Sequence, residues 1–190
     1  PPTHEIYDTA GSLTGPALHT TMLVNKGLAR AETRDPGAYA KGDVIRFAKD
    51  YADKGIQRSA HYRVEAIDTD KAAITLASND GRRIDWRLRQ WGTSQSQAFT
   101  AQPIDLKAGD RISFTRNDRA LGRINGQRAE VLNVDPAKGT AQILSQGTEG
   151  HGKRITLDLT KAQDQHIRHA FVETAFAAQG RTSRHVLIHA

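Results

Sequence analysis

The segment Gly109-Asp110-Arg111-Ile112-Ser113-Phe114 has an earlier counterpart in Gly42-Asp43-Val44-Ile45-Arg46-Phe47, and this recurrence constrains the fold more than any other feature. The copies lie 67 positions apart, and the same offset relates Gly55 to Gly122, Val64 to Val131, Asp68 to Asp135 and Lys71 to Lys138. Matches that keep one offset without a gap point to an internal duplication. Both copies alternate with a period of two, as half-buried strands do. In the first, Val44, Arg46 and Ala48 share one side while Ile45 and Phe47 share the other, and Tyr62, Val64 and Ala66 repeat the pattern. Ile74-Thr75-Leu76 follows, and the turn Asn79-Asp80-Gly81 leads into Ile84-Asp85-Trp86, a strong hairpin signal. The second copy continues through residues 130–134, 140–144 and 155–159.

Four or five short strands closed by tight turns make a small barrel. The expected fold is therefore mainly β with some α: tandem SH3-like barrels over residues 39–92 and 105–160. Residues 1–38 read as an irregular segment and linker, in which 18–31 has no settled period and suits a helix or a strand. After residue 160 the period changes. Ile167, Ala170, Phe171, Ala175 and Ala178 recur at helical spacing, and Gln179-Gly180 suits a left-handed C-terminal cap, so one amphipathic helix is expected over 161–178. Val186-Leu187-Ile188 reads as the start of a buried strand of an α/β sheet, which makes the chain look like a piece of a larger protein.

Composition narrows the function classes. The 190 residues are 37% hydrophobic, enough to bury a core. Absence of cysteine excludes disulfides and thiolate metal sites and fits a cytoplasmic setting. No apolar run approaches the ~20 residues that span a bilayer, so no membrane insertion is expected. A net charge of +6 favours a polyanionic partner without requiring one.

Three motifs bear on chemistry. Gly147-Thr148-Glu149-Gly150-His151-Gly152-Lys153 matches the start of a nucleotide-binding P-loop, but Arg154 replaces the Ser or Thr that Mg²⁺ needs and a strand follows where a helix should. The pairs His166/His169 and His185/His189 lack a third ligand at zinc spacing. No nucleophile or paired-carboxylate arrangement is visible, so neither a catalytic nor a metal site is expected. Basic residues near aromatics are more informative. Arg82, Arg83, Arg87 and Arg89 lie around Trp86 and Trp91, while Arg111, Arg116, Arg119, Arg123 and Arg128 surround Phe114. Guanidinium groups grip phosphates and aromatic faces stack on unpaired bases. The alternative is a solvated arginine face over a tryptophan core.

A resemblance runs through nearly the whole chain. The order Pro2-Thr3-His4, Leu28-Ala29-Arg30-Ala31-Glu32, the two Gly-Asp segments, Thr115-Arg116-Asn117-Asp118-Arg119, Leu121-Gly122, Asn125-Gly126 and His169-Ala170-Phe171-Val172 through Thr174, Gln179-Gly180 and Thr182 resembles the helicase part of MobF-type conjugative relaxases, the TraI/TrwC-like proteins. The helicase halves of these proteins are similar to RecD. The resemblance implies a piece of a superfamily-1 motor that moves 5′ to 3′ on single-stranded DNA, its SH3-like (2B-like) module inserted in a partial RecA-like domain formed by residues 1–38 and 161–190. It implies DNA contacts by Arg111, Arg116, Asn117, Arg119, Arg123 and Thr174, and a helicase motif V containing His169, Thr174, Gln179 and Gly180. Phe176 stands where the family commonly has His. ATP, Mg²⁺ and relaxase activity would belong to the parent protein, with no cofactor or catalysis in this chain. Partners implied are single-stranded DNA, the rest of the relaxase-helicase chain and the coupling protein of a type IV secretion system, which would read an internal translocation signal here. The setting would be the cytoplasm, with transfer to a recipient cell. A pair of SH3-like modules acting as a non-catalytic interaction scaffold is the alternative.

Overall fold

The computed structural model describes residues 13–146 and 152–170, and these build two antiparallel sheets from eleven strands. In chain order the strands are β1 (Thr14–Asn25), β2 (Val44–Phe47), β3 (His61–Asp68), β4 (Ala73–Ala77), β5 (Arg83–Arg87), β6 (Ser96–Ala108), β7 (Arg111–Phe114), β8 (Arg128–Asp135), β9 (Thr140–Ser145), β10 (Lys153–Asp158) and β11 (Ile167–His169). The first sheet has the order β1-β6-β2-β3-β4-β5 and the second β10-β9-β8-β7-β11.

The repeat is carried by backbone hydrogen bonds. β3 and β8 begin and end 67 positions apart, and both are irregular at one point against the next strand, between Val64 and Ala66 and between Val131 and Asn133. The Gly-Asp pair explains its own recurrence. Gly42 and Gly109 take φ of 93° and 95°, a region costly for a residue with a Cβ. Each donates its N–H to a partner carbonyl, Val64 at 2.9 Å and Val131 at 2.8 Å, while those valines donate back to Asp43 and Asp110 at 2.8 Å. The buried aspartates turn inward to accept the N–H three residues earlier, from Ala40 at 2.8 Å and Lys107 at 2.6 Å. Glycine supplies the bend, and aspartate pairs the amide three residues before it.

Two cores result. Around the first sheet Phe47, Trp86, Ile45, Ile74, Leu76 and Val64 are buried, and alternation on β2 sends Ile45 and Phe47 into this core. Its other face carries Val44, buried with Leu23 and Phe99 in a small cluster at the seam between the sheets. The second core gathers Ile112, Phe114, Val131, Ile143, Leu157 and Leu159. Leu18, Ile104 and Leu106 join it from β1 and β6, so the long β1/β6 ribbon belongs to the first sheet by hydrogen bonding and to the second core by packing.

The structure resolves one open reading and overturns another. Residues 14–25 are a strand, paired along β6 from Thr14 opposite Ala108 to Asn25 opposite Phe99. The helix expected over 161–178 is absent from its described part: residues Ala162–Asp164 form a single 3-10 turn, and Ile167–His169 pair with β7. The exposed edge of β7 needs partners for its peptide groups, and that demand outweighs the helical spacing of Ile167 and Ala170. The α component of the expected fold has no counterpart among the described residues, where helical structure is limited to 3-10 turns. No described helix is long and apolar enough to cross a membrane.

Candidate nucleic-acid interface

The basic loop after β7 is held in shape by its own polar groups. Thr115 N–H donates to the His166 carbonyl at 2.9 Å, after which Asp118 and Arg123 exchange two backbone bonds of 2.9 Å each. Inside this small ladder the Asp118 carboxylate accepts from Leu121 N–H at 3.1 Å, and the Asn117 side-chain oxygen accepts from Asn125 N–H at 2.8 Å. Asn117, Arg119, Leu121 and Ile124 are exposed at its surface, Ile124 by 55%. Arg111 is exposed on β7, and Arg116 is half-buried where the loop meets the first sheet.

Arg123, expected among the DNA contacts, is enclosed by the fold. Its side chain is buried, with Nη2 2.7 Å from Asp164 Oδ1, Nη1 donating to the Gln163 carbonyl at 3.2 Å and the guanidinium 5.3 Å from the Phe114 ring centre. Asp164 in turn accepts from Asp158 N–H at 2.7 Å. Removing one member of such a buried pair strands the other charge, which is why these groups act as structure.

Beside the loop lies a cleft of about 580 Å³ between the ribbon, β11 and the loop itself. Met22, Leu23, Val24, Phe99 and Ile167 give it apolar walls, and Asn25, Gln97, Thr115, Arg116, Asn117, Asn125 and Arg168 supply polar groups. Apolar and aromatic surface next to arginine and amide groups suits an unpaired base with its phosphate.

Across the seam the two sheets meet in a cationic cluster. His61 Nε2 and His166 Nε2 are 2.9 Å apart, and the His166 ring stands edge-on to Phe99 with centres 4.8 Å apart. Such a contact needs one imidazole to donate and the other to accept, so at most one of the two carries a second proton. Burial, then the charges of Arg116 and Arg46, push His61 down to about 4. Burial, then His61, Arg116 and Arg46, push His166 down to about 3. Arg46, whose Nη2 donates to Ser59 Oγ at 2.6 Å, is lowered to about 10 by burial and then by Arg116, with Asp118 opposing. Burial lowers Arg116, and Asp118 opposes that shift too.

Other expected sites fall out differently. Trp86 is fully buried, its Nε1–H donating to the Trp91 carbonyl at 3.0 Å, and Arg82, Arg83 and Arg87 pair with Asp80, Glu65 and Asp85. The arginine face over a tryptophan core is the arrangement found there. His166 pairs with His61 instead of His169, which lies half-buried in β11 opposite Ile112. Among the described residues no group of three or more His, Cys, Asp or Glu is placed to hold a metal. Thr174, Gln179, Gly180 and Phe176 lie outside the described residues, as does most of the P-loop-like segment. Sequence reasoning missed Arg46, His61, Gln97 and Phe99. An arginine in the strand Val44-Ile45-Arg46-Phe47, whose neighbours are all buried, was the available signal for Arg46.

No protein-family model matches the chain. Two curated proteins do, both described as "Multifunctional conjugation protein TraI". The one from Escherichia coli is 27% identical over 184 residues, covering 93% of this chain and 9% of that protein. The one from Escherichia coli (strain K12) is 28% identical over 125 residues, covering 64% of this chain and 7% of that protein. The chain is thus similar to TraI along nearly all its length, and it spans less than a tenth of the multifunctional conjugation proteins it resembles.

Proposed function

We propose that the chain is a DNA-gripping part of a TraI-like conjugative relaxase-helicase, holding single-stranded DNA while other parts of the parent use ATP and Mg²⁺. The observation that carries this reading is the stiff loop that presents Arg116, Asn117 and Arg119 beside an apolar-walled cleft. In this reading the two sheets are SH3-like modules inserted in a RecA-like domain, and His169 opens a motif V that continues through Thr174, Gln179 and Gly180. Arg111 and Thr174 join the DNA contacts, whereas Arg123 holds the loop in place.

Fluorescence anisotropy with an oligothymidylate tests it. Affinity should fall as salt rises, each phosphate contact contributing about 0.7 to the slope of log K against log salt, and Arg116→Ala or Arg119→Ala should flatten that slope. Binding indifferent to salt and to both substitutions would leave a non-catalytic interaction scaffold as the better account.

A second reading adds a signal for the coupling protein of a type IV secretion system. The exposed apolar side chains Leu121 and Ile124 at the loop tip favour it, because such groups beside arginines suit a protein partner. Leu121→Ser with Ile124→Ser in the parent should abolish transfer of a reporter fusion while single-strand binding persists; unchanged transfer rejects this second role.

A further inference from the structure

The seam between the two sheets gathers more positive charge than the one carboxylate near it balances. Arg46 lies opposite His61 on β3 and Gln97 on β6, on the same side of β2 as Val44, which packs at the seam. From the second repeat come the His166 imidazole, which meets His61, and Arg116, next in the chain to Thr115, whose N–H donates to the His166 carbonyl at 2.9 Å; Arg116 lines the cleft together with Gln97, the residue opposite Arg46. Asp118 is the one carboxylate acting on both arginines, and its Oδ1 is already engaged by Leu121 N–H. Among the described residues the Arg116 guanidinium has neither a hydrogen bond nor an ion pair. Elsewhere in the molecule basic side chains find carboxylates readily: Lys26 meets Asp43 and Arg83 meets Glu65, both at 2.7 Å.

Two half-buried guanidinium groups that share one carboxylate repel each other in the free chain, since arginine does not shed its proton at neutral pH. Local conflict of this kind marks sites where a ligand completes the structure. The missing component is an anion with several acceptor oxygens that two forks can approach from different sides, and a phosphate has that shape.

We propose that the seam is a phosphodiester seat in which Arg46 of the first repeat and Arg116 of the second close on one backbone phosphate, with the adjoining base against Leu23, Phe99 and Ile167. The source of the phosphate rests on the single-strand reading above; the seat itself does not. It makes the strand a bridge between the two repeats, and it makes Arg46 a binding residue.

The test uses the whole chain and two probes. With inorganic phosphate against chloride at equal ionic strength, the melting temperature of the unsubstituted chain should rise, and the double variant Arg46→Gln with Arg116→Gln should lose that rise. Without phosphate this variant should melt no lower than the parent, because repulsion has been removed, so lost binding cannot be ascribed to misfolding. With an oligothymidylate, Arg46→Gln should weaken binding about tenfold and flatten the salt slope by about one contact, whereas Arg83→Gln, far along the first sheet, should bind normally. A phosphate effect absent from the parent, or equal in the double variant, overturns the seat. So does an oligonucleotide that binds the Arg46→Gln chain as tightly as the parent. A phosphate effect lost in the variant with no oligonucleotide binding upholds the seat and rejects single-stranded DNA as its source.

Discussion

The two repeats share a backbone and differ in what closes it. In the first, Tyr51 and Ile56 exchange the two backbone bonds of the loop ladder, and aromatic rings fill the space behind it: Phe47 meets Tyr62 at 5.9 Å, Trp86 at 5.2 Å and the stacked Trp91 at 6.0 Å. In the second, Asp118 and Arg123 occupy the equivalent ladder positions, and Phe114 is covered by the Arg123 guanidinium, itself tied to Asp164. An apolar plug needs no outside partner. A charged plug needs a counter-ion fixed in the core, and here it comes from the turn after β10, leaving Arg119 exposed on the loop and Arg116 half-buried at the seam. One architecture thus yields an inert closure and a cationic surface.

The largest effects should come from removing each plug. Trp86→Ala should cost about 4 kcal/mol, as large-to-small changes at fully buried aromatics do, and Arg123→Ala about 3 kcal/mol by stranding Asp164. Urea denaturation gives both values. A double-mutant cycle of Arg123 and Asp164 should show strong coupling, whereas near-additive losses would mean that the second plug is held mainly by the stacking of Arg123 on Phe114.

Next in size is the pH response of the seam. His61 and His166 bind protons more weakly in the folded chain than their ordinary value of 6.5 allows, so the folded state holds fewer protons than the unfolded one below that value. Stability is therefore full above about pH 6.5 and is lost as pH falls toward 4, by on the order of 1–3 kcal/mol at pH 5. His61→Gln should flatten that loss in urea denaturation followed across pH. A loss unchanged by His61→Gln would mean that carboxylates elsewhere cause it.

The smallest effects should fall on the hairpin turns, where the repeats are most alike. Asp68 and Asp135 each accept the N–H of the lysine three residues on, at 3.0 and 3.1 Å, and each lies 3.1 Å from that lysine's Nζ. Those bonds lower both carboxyls, the Lys71 backbone contact first for Asp68 and the Lys138 side chain first for Asp135. Asp68→Asn and Asp135→Asn should shift the melting temperature equally and slightly. Unequal shifts would show that the likeness of the repeats stops at geometry.

The duplication was legible because its markers are backbone requirements: a glycine at positive φ, and an aspartate that must return to an amide, leave the same letters wherever the bend recurs. Burial of Trp86 left an alternating signature that either reading of the arginines could accommodate. The ribbon left none. Leu18 packs in the second core and Leu23 in the seam, and the odd spacing between them places them on opposite faces of β1, so no apolar stripe forms. The segment after β10 misled because two apolar residues three apart mimic a helix, while the edge of β7 that captures them is distant in sequence. The pairing of Arg123 was hidden for a like reason, since nothing local to it announces Asp164.

The ribbon also has a mechanical meaning. β6 is one continuous strand, its early residues bonded to β2 and its later ones packed over the second core, so no cut between the repeats leaves both intact. Tension applied along the ribbon would load its ladder in shear, with neighbouring peptide bonds sharing the force. A pull on one repeat is then felt by the other without an intervening joint, and the pair would respond to a taut strand as a single stiff jaw.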